Sequence, residues 1–354
     1  MKLINYLLIA ILLISSCKED DAIDAPELSD DYGRGMYVVT DFGVSYLDYI
    51  DPNALIVENV FKKVNSTTIV NPKRIKFHNS KAYILGNRIY IADLATFGAE
   101  SEISGFNNAV DFDFVGYNRL FVIDKGDAHV KVIDLNNMEI TTEIETGDST
   151  RPVFVVSNSY KSFILNGGGV ETQTKDSTVV VIEYRDNLVQ LADFTGNLLV
   201  GDNPNSAVFA GNLKVLCKGV YDSINSVNNT ESSLSVINQF NNQVYSTNIL
   251  SGTYNAQNLI SNSDNSSYYL TAEGGVYSLN TSSLSVNLIV NINASVIRTI
   301  VESYADSDTT VTYSQMLYMN DLDNPSNIYK YNVGSSAFSD TIVVDGSIKD
   351  IAFY

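Results

Sequence analysis

Two cysteines and two histidines are all the thiol and imidazole groups that this 354-residue chain offers for nucleophilic, acid–base or zinc chemistry. A zinc site needs three or four such ligands brought together, and the inventory nearly excludes one. Cys217 lies within NLKVLCKG, an apolar strand-like run. That setting suits a small buried hydrophobe better than a catalytic thiol. His78 falls at the end of RIKFH, and His129 closes the loop DKGDAH. The stretch NGGGVE lacks the Lys-Ser/Thr and the helix of a phosphate-cradling loop. DKGD and NDLDNPSN lack the spacing and closing Glu of an EF-hand. The pattern predicts no resident cofactor and no metal, and it argues against an enzyme.

The other cysteine, Cys17, sits in LLISSCKEDD at the end of an apolar run. Lys2 is the only charge before it, and Leu3 to Ile14 is almost unbroken apolar sequence. This has the length of a secretory h-region and is too short for a membrane-spanning helix, which needs ~20 apolar residues. Ile14-Ser15-Ser16-Cys17 resembles the bacterial lipobox. The resemblance implies cleavage before Cys17 and a diacylglycerol on its sulfur. Each buried CH₂ contributes ~0.8 kcal/mol, so two or more chains make a stable anchor. Lys18-Glu19-Asp20-Asp21 resembles the lipoprotein export signal of Bacteroidota, which implies the outer face of the outer membrane. Residues 18 to 34, KEDDAIDAPELSDDYGR, have no apolar periodicity and read as a flexible acidic tether. The chain thus divides into a signal at 1–16, a lipidated Cys with its tether at 17–34, and a folded body at 35–354. With Cys17 acylated, Cys217 has no disulfide partner.

Composition narrows the partners. Lys and Arg total 22 against 41 Asp and Glu, a formal charge of −19. Phosphate contacts need basic residues, so nucleic acid is excluded as a partner. Twenty-two tyrosines, six prolines and no tryptophan accompany short apolar runs bounded by Gly, Asn, Asp and Ser. No long 3.6-residue pattern appears, and the chain reads as all-β.

The elements that would position any site come in repeats. RIKFH, KAYIL and RIYIAD are followed by a weaker fourth run. The next unit repeats the order as DFDFV, RLFVI, HVKVID and EITTEI. Four short antiparallel strands per unit is the pattern of a propeller blade. The third strand of each unit ends near an acid or amide: Asp51, Asp93, Asp134, Glu183, Asn238, Asn280 and Asn332, 41 to 55 residues apart. Such side chains bond their own turn backbone, so these anchors are structural, and seven anchors predict seven blades. The first unit opens on MYVVTDFG, which matches a second strand. The chain closes on IKDIAFY, which matches a first strand. Asp350 to Tyr354 is therefore expected beside Met36 to Thr40, closing the ring and removing an open edge.

These strands, RIYIAD and HVKVID above all, resemble the YncE-like seven-bladed β-propellers, including surface lipoproteins of Bacteroidota. The resemblance covers roughly residues 35 to 354. Without Trp, neither a WD40 signature nor the Trp-rich motifs of quinone-cofactor propellers is present. The resemblance implies ligand capture for a TonB-dependent outer-membrane transporter, with a corrinoid such as cobalamin as one candidate.

In such a ring the strand-two-to-three loops and the blade-to-blade links share one face. The two-to-three loops run TDFG, LGNR, DKGDAH, NGGGVETQTKDS, KGVYDSINSVNNTESS, AEGG and NDLDNPSN. Insertions grouped on one face point to a shaped binding surface. The ligand-binding candidates on it are Phe42, Arg88, Lys125, His129, Arg151, Tyr221, Asp222 and Tyr254, which supply contact area and charged donors. Three readings stay open here: capture of a small-molecule nutrient or glycan, a scaffold or adhesion module binding a protein or polysaccharide, and, behind these, a propeller hydrolase or lyase. In each case the membrane is met only through the lipid.

Overall fold

The structure, a computed structural model, describes residues 32–49, 51, 54–146, 151–167, 175–185, 191–222, 226–305 and 311–354. Cys17 and the rest of the expected leader and tether through residue 31 lie outside the described residues.

Short alternating runs punctuated by Asn, Asp and Gly turns give antiparallel meanders, and seven of them form. In blade two, for example, the strands are Arg74–His78, Lys81–Leu85, Ile89–Asp93 and Ala99–Ile103. The first strands touch one another in an unbroken cycle from blade to blade. They form the inner wall of a seven-bladed β-propeller. Seven apolar clusters fill the seven interfaces between neighbouring blades. The fourth strands are mostly exposed, as in Gln243–Ile249, where exposed and half-buried residues alternate. In each of the six four-stranded blades the outer pair carries a register shift. Such bulges strengthen the right-handed twist.

The ring closes as the sequence indicates. Ile348–Phe353 pairs antiparallel with Met36–Thr40, with Val38 opposite Ile351. Two backbone bonds between Gly35 and Tyr354, of 3.2 and 3.0 Å, extend the pairing. Ile348 and Ile351 complete the apolar cluster between blades seven and one, beside Met36, Val296, Met316 and Tyr318.

Blade one departs from the four-strand repeat. Its third strand is Gly43–Leu47, so Asp51 lies beyond the strand end. Its fourth strand shrinks to one bridge, Tyr46 to Val57, with bonds of 3.0 and 2.8 Å. Asn59 then turns left-handed, and Val60–Asn65 forms a short helix. Phe61 drives this exchange by packing its ring edge-on against Tyr90 and Phe97. The Asn65 amide donates to the Phe61 and Phe97 carbonyls and accepts from the Ala99 N–H. Tyr32, which composition places in the tether, is only 4% exposed and packs on Tyr46 and Phe97.

The anchors behave as structural pins in five blades. The side chains of Asp93, Asp134, Asn238, Asn280 and Asn332 each accept a backbone N–H from their own turn. Glu183 instead meets Lys161 at 3.3 Å.

Cys217 is fully buried in the cluster between blades four and five. Burial pushes its thiol up to about 12, against a weaker opposing bond from Ser235. Since the thiolate is the nucleophile, Cys217 in the folded protein at pH 8 is expected to resist iodoacetamide, while in the unfolded chain it alkylates readily. Intact mass before and after adding denaturant checks this. Alkylation at equal rates in both states would show the packing around Cys217 to be wrong.

Candidate functional site

The inner wall carries charge at every second residue of some first strands, because successive strand residues face opposite sides. Arg74 and Lys76 on blade two thus meet Asp111 and Asp113 on blade three. The Arg74 guanidinium lies 2.7 Å from Asp111, and Lys76 lies 3.4 Å from Asp113. Asp111 also accepts the Val155 N–H of blade four at 3.0 Å, and Asp113 accepts that of Ser157 at 2.7 Å. Across the closure, Arg298 of blade seven pairs with Asp350 of blade one, which accepts the Ile75 N–H of blade two. Burial works against the charge on Arg74, but Asp111 and then Asp350 outweigh it and hold the guanidinium above its ordinary value. Burial raises Asp113, with Lys76 opposing. These groups tie inner strands together.

The loop face carries one of several open clefts. A cleft of ≈ 730 Å³ lies over blades five, six and seven. Its wall is mainly amide and acid, with one aromatic ring and a few apolar residues: Tyr221, Asn255, Gln257, Glu273, Asp323 and Leu322 among others. Among the described residues, no Lys or Arg lines it. A hydrogen bond from Tyr221 to the Glu273 carboxylate holds the phenol above its ordinary value. Asp321 accepts from the Asp323 N–H at 3.0 Å and from the Asn324 amide at 2.7 Å. NDLDNPSN is therefore a self-capped loop.

Tyr221 is held on a built segment. Its strand ends at Cys217, and Gly219 turns at φ +76°, where a Cβ would lie 2.3 Å from the Thr230 carbonyl. Only glycine fits such a turn without strain. Val220 and Thr230 then pair at 2.9 and 2.8 Å, and the Ser232 hydroxyl donates to the Lys218 carbonyl at 2.9 Å.

The eight sequence candidates separate under this geometry. Tyr221 lines the cleft, with Asp222 and Tyr254 adjoining it in sequence. Asp222 exchanges two bonds with Asn229, of 2.7 and 3.2 Å. Phe42, 61% exposed, borders a second cleft of ≈ 490 Å³ with Glu58, Lys62 and Asp345. Arg88 is paired with Glu102 on its own blade. The His129 ring is held at 2.7 Å by the Asp127 carbonyl. Lys125 and Arg151 are not among the residues that line the amide cleft. The candidates thus do not form one site.

The cleft amides and the wall charges escaped the sequence reading. Asn and Gln in turns look like ordinary loop formers. The wall charges did leave a signal, the i, i+2 charges in RIK and DFD. Among the described residues, no three His, Cys, Asp or Glu side chains converge as metal ligands, and no helix is long and apolar enough to cross a membrane.

No family model matches the chain, and no curated protein matches its sequence. Solved structures do match its fold. A putative 6-phosphogluconolactonase from Bacteroides fragilis aligns with TM-score 0.63 at 9% identity, over 92% of this chain and 99% of its own. A quinonprotein alcohol dehydrogenase-like protein from Bacteroides thetaiotaomicron aligns with TM-score 0.61 at 14% identity, over 91% and 79%. Apo AztD from Citrobacter koseri aligns with TM-score 0.53 at 10% identity, over 90% and 96%. At such identities these likenesses show a shared fold alone, and function has to be argued from the site.

Proposed function

We propose that the protein is a non-catalytic binding module that takes its ligand on the loop face. The observation that carries this is the ≈ 730 Å³ cleft, walled by Tyr221, amides and carboxylates. Its volume falls within the range of small-ligand pockets. Amides offer both donors and acceptors, and a tyrosine adds a rigid contact surface. That combination suits a ligand rich in hydroxyl or amide groups. The occupied state of His129 and the inner-wall charges supports binding over catalysis.

In the fuller form of this reading, a lipid on Cys17 holds the ring at the outer surface. The loop face then delivers nutrient to a TonB-dependent transporter, with a corrinoid as the first candidate and a neutral glycan as the second. Equilibrium titration against corrinoids and neutral oligosaccharides tests it. We expect saturable binding with one of these classes, weakened at least about tenfold, or ~1.4 kcal/mol, by Tyr221→Ala. Absence of saturable binding at micromolar ligand would overturn the capture reading. Recovery of a protein partner in its place, by pull-down from outer membrane, would favour the scaffold reading.

A further inference from the structure

Beside the amide cleft, the loop face gathers cations from three consecutive blades. Lys125 follows the second strand of blade three, and its N–H is fixed to the Asn108 carbonyl at 3.0 Å. Arg151 precedes the first strand of blade four, and its carbonyl accepts the Gly167 N–H at 3.0 Å. Lys218 follows the second strand of blade five, with its N–H on the Asn203 carbonyl at 3.0 Å. All three side chains therefore spring from pinned backbone. The blades that carry them pack against one another in turn from blade three to blade five. Burial and then the Arg151 charge lower Lys125, while burial and then Lys125 lower Lys218.

Among the described residues, no carboxylate lies within ion-pair distance of any of the three. Lys131, by contrast, meets Asp127 and Glu143, and Lys330 meets Glu302. The acids next to the cluster are already engaged. Asp124 accepts the N–H groups of Asn107, Asn108 and Gly126. Asp202 takes Lys175 at 3.4 Å and the Ser177 hydroxyl at 2.8 Å. Gathered like charges with no counter-ion repel each other, and a bound anion relieves that repulsion. Lys and Arg together recognise compact oxyanions through charge-assisted bonds.

We propose that Lys125, Arg151 and Lys218 form an oxyanion subsite for a carboxylate, sulfate or phosphate group borne by the ligand. The subsite adjoins the amide cleft: the N–H of Asn255, a cleft residue, donates to the Lys218 carbonyl at 3.2 Å. A ligand spanning both would carry an acidic group at one end and a neutral polar body at the other. The inference rests on the loop face being the binding face, but it is tested without the cleft ligand.

The test is calorimetric titration of the folded protein with inorganic phosphate, sulfate, D-galacturonate and, as the neutral arm, D-galactose. The expected result is saturable binding of oxyanions with Kd on the order of 1 mM or tighter. The order among the three anions names the ligand's acidic group. Lys125→Gln and Lys218→Gln should each weaken binding about tenfold, while Lys175→Gln, paired on the same face, leaves it unchanged. Phosphate should also slow acetylation of Lys125 and Lys218 in the unaltered protein, read by peptide mass spectrometry, so the test survives a variant that fails to fold. No saturation by any oxyanion at roughly ten times that Kd, or binding and protection indifferent to these lysines, overturns the proposal. Loss of neutral-ligand binding in Tyr221→Ala with oxyanion binding intact separates this subsite from the cleft.

Discussion

A chain ending at Ile348 is expected to lose its cooperative unfolding transition. The six missing residues are most of the first strand of blade one. Without them Met36–Thr40 becomes an inner edge with unpaired N–H and C=O groups. Ile351 is fully buried, and Phe353 packs on Tyr318 and Tyr49 with ring centroids 5.0 and 5.3 Å away. Burial of a large apolar side chain contributes ~1.5–3 kcal/mol. Two such residues and a strand of backbone bonds approach the ~5–15 kcal/mol that separates folded from unfolded domains. The loss also removes Asp350, which joins blades seven, one and two. Far-UV circular dichroism with guanidinium titration checks this, and a midpoint equal to that of the full chain would sink the closure argument.

Asp111→Ala should cost about 2–4 kcal/mol by the same measurement. Asp111 is fully buried, and its two oxygens serve Arg74 and the Val155 N–H. Removing one partner of a buried pair costs ~3–5 kcal/mol, and an orphaned buried N–H adds ~1–3 kcal/mol. Arg74 keeps 28% of its side chain exposed and recovers part of its hydration, so the lower range applies. Asp111→Asn keeps an acceptor for Val155 and should cost about half as much. Arg74→Met in the Asp111→Ala background should recover stability, because the orphaned charge is gone. If Asp111→Ala and the native protein unfold at the same denaturant concentration, the inner-wall pair is not a blade-to-blade tie.

Blade count and closure were legible because both are written locally. Alternating runs such as KAYIL and RIYIAD declare a pleat, and Asp93, Asp134, Asn238, Asn280 and Asn332 declare turns that they themselves bond. The helix in blade one was not legible. VFKKVN is too short to show a helical period, and its conformation is decided by Tyr90 and Phe97, which blade two brings beneath Phe61. The same split runs through the candidate site. Tyr221 could be chosen as an aromatic on the longest loop, but its partners Glu273 and Asn258 come from blade six. Arg88 and His129 looked equally available until Glu102 and Asp127 engaged them.

The sequence by itself determined the all-β repeat, the seven-fold count and the strand that closes the ring. Strand pleat and turn chemistry act over a few residues, so the order of residues is enough to specify them. Tertiary structure decided which loop residues share a cleft, which charges are paired on the inner wall, and that among the described residues no carboxylate pairs with Lys125, Arg151 or Lys218. Those outcomes depend on how blades distant in sequence sit around one axis, and electrostatic pairing follows distance in space.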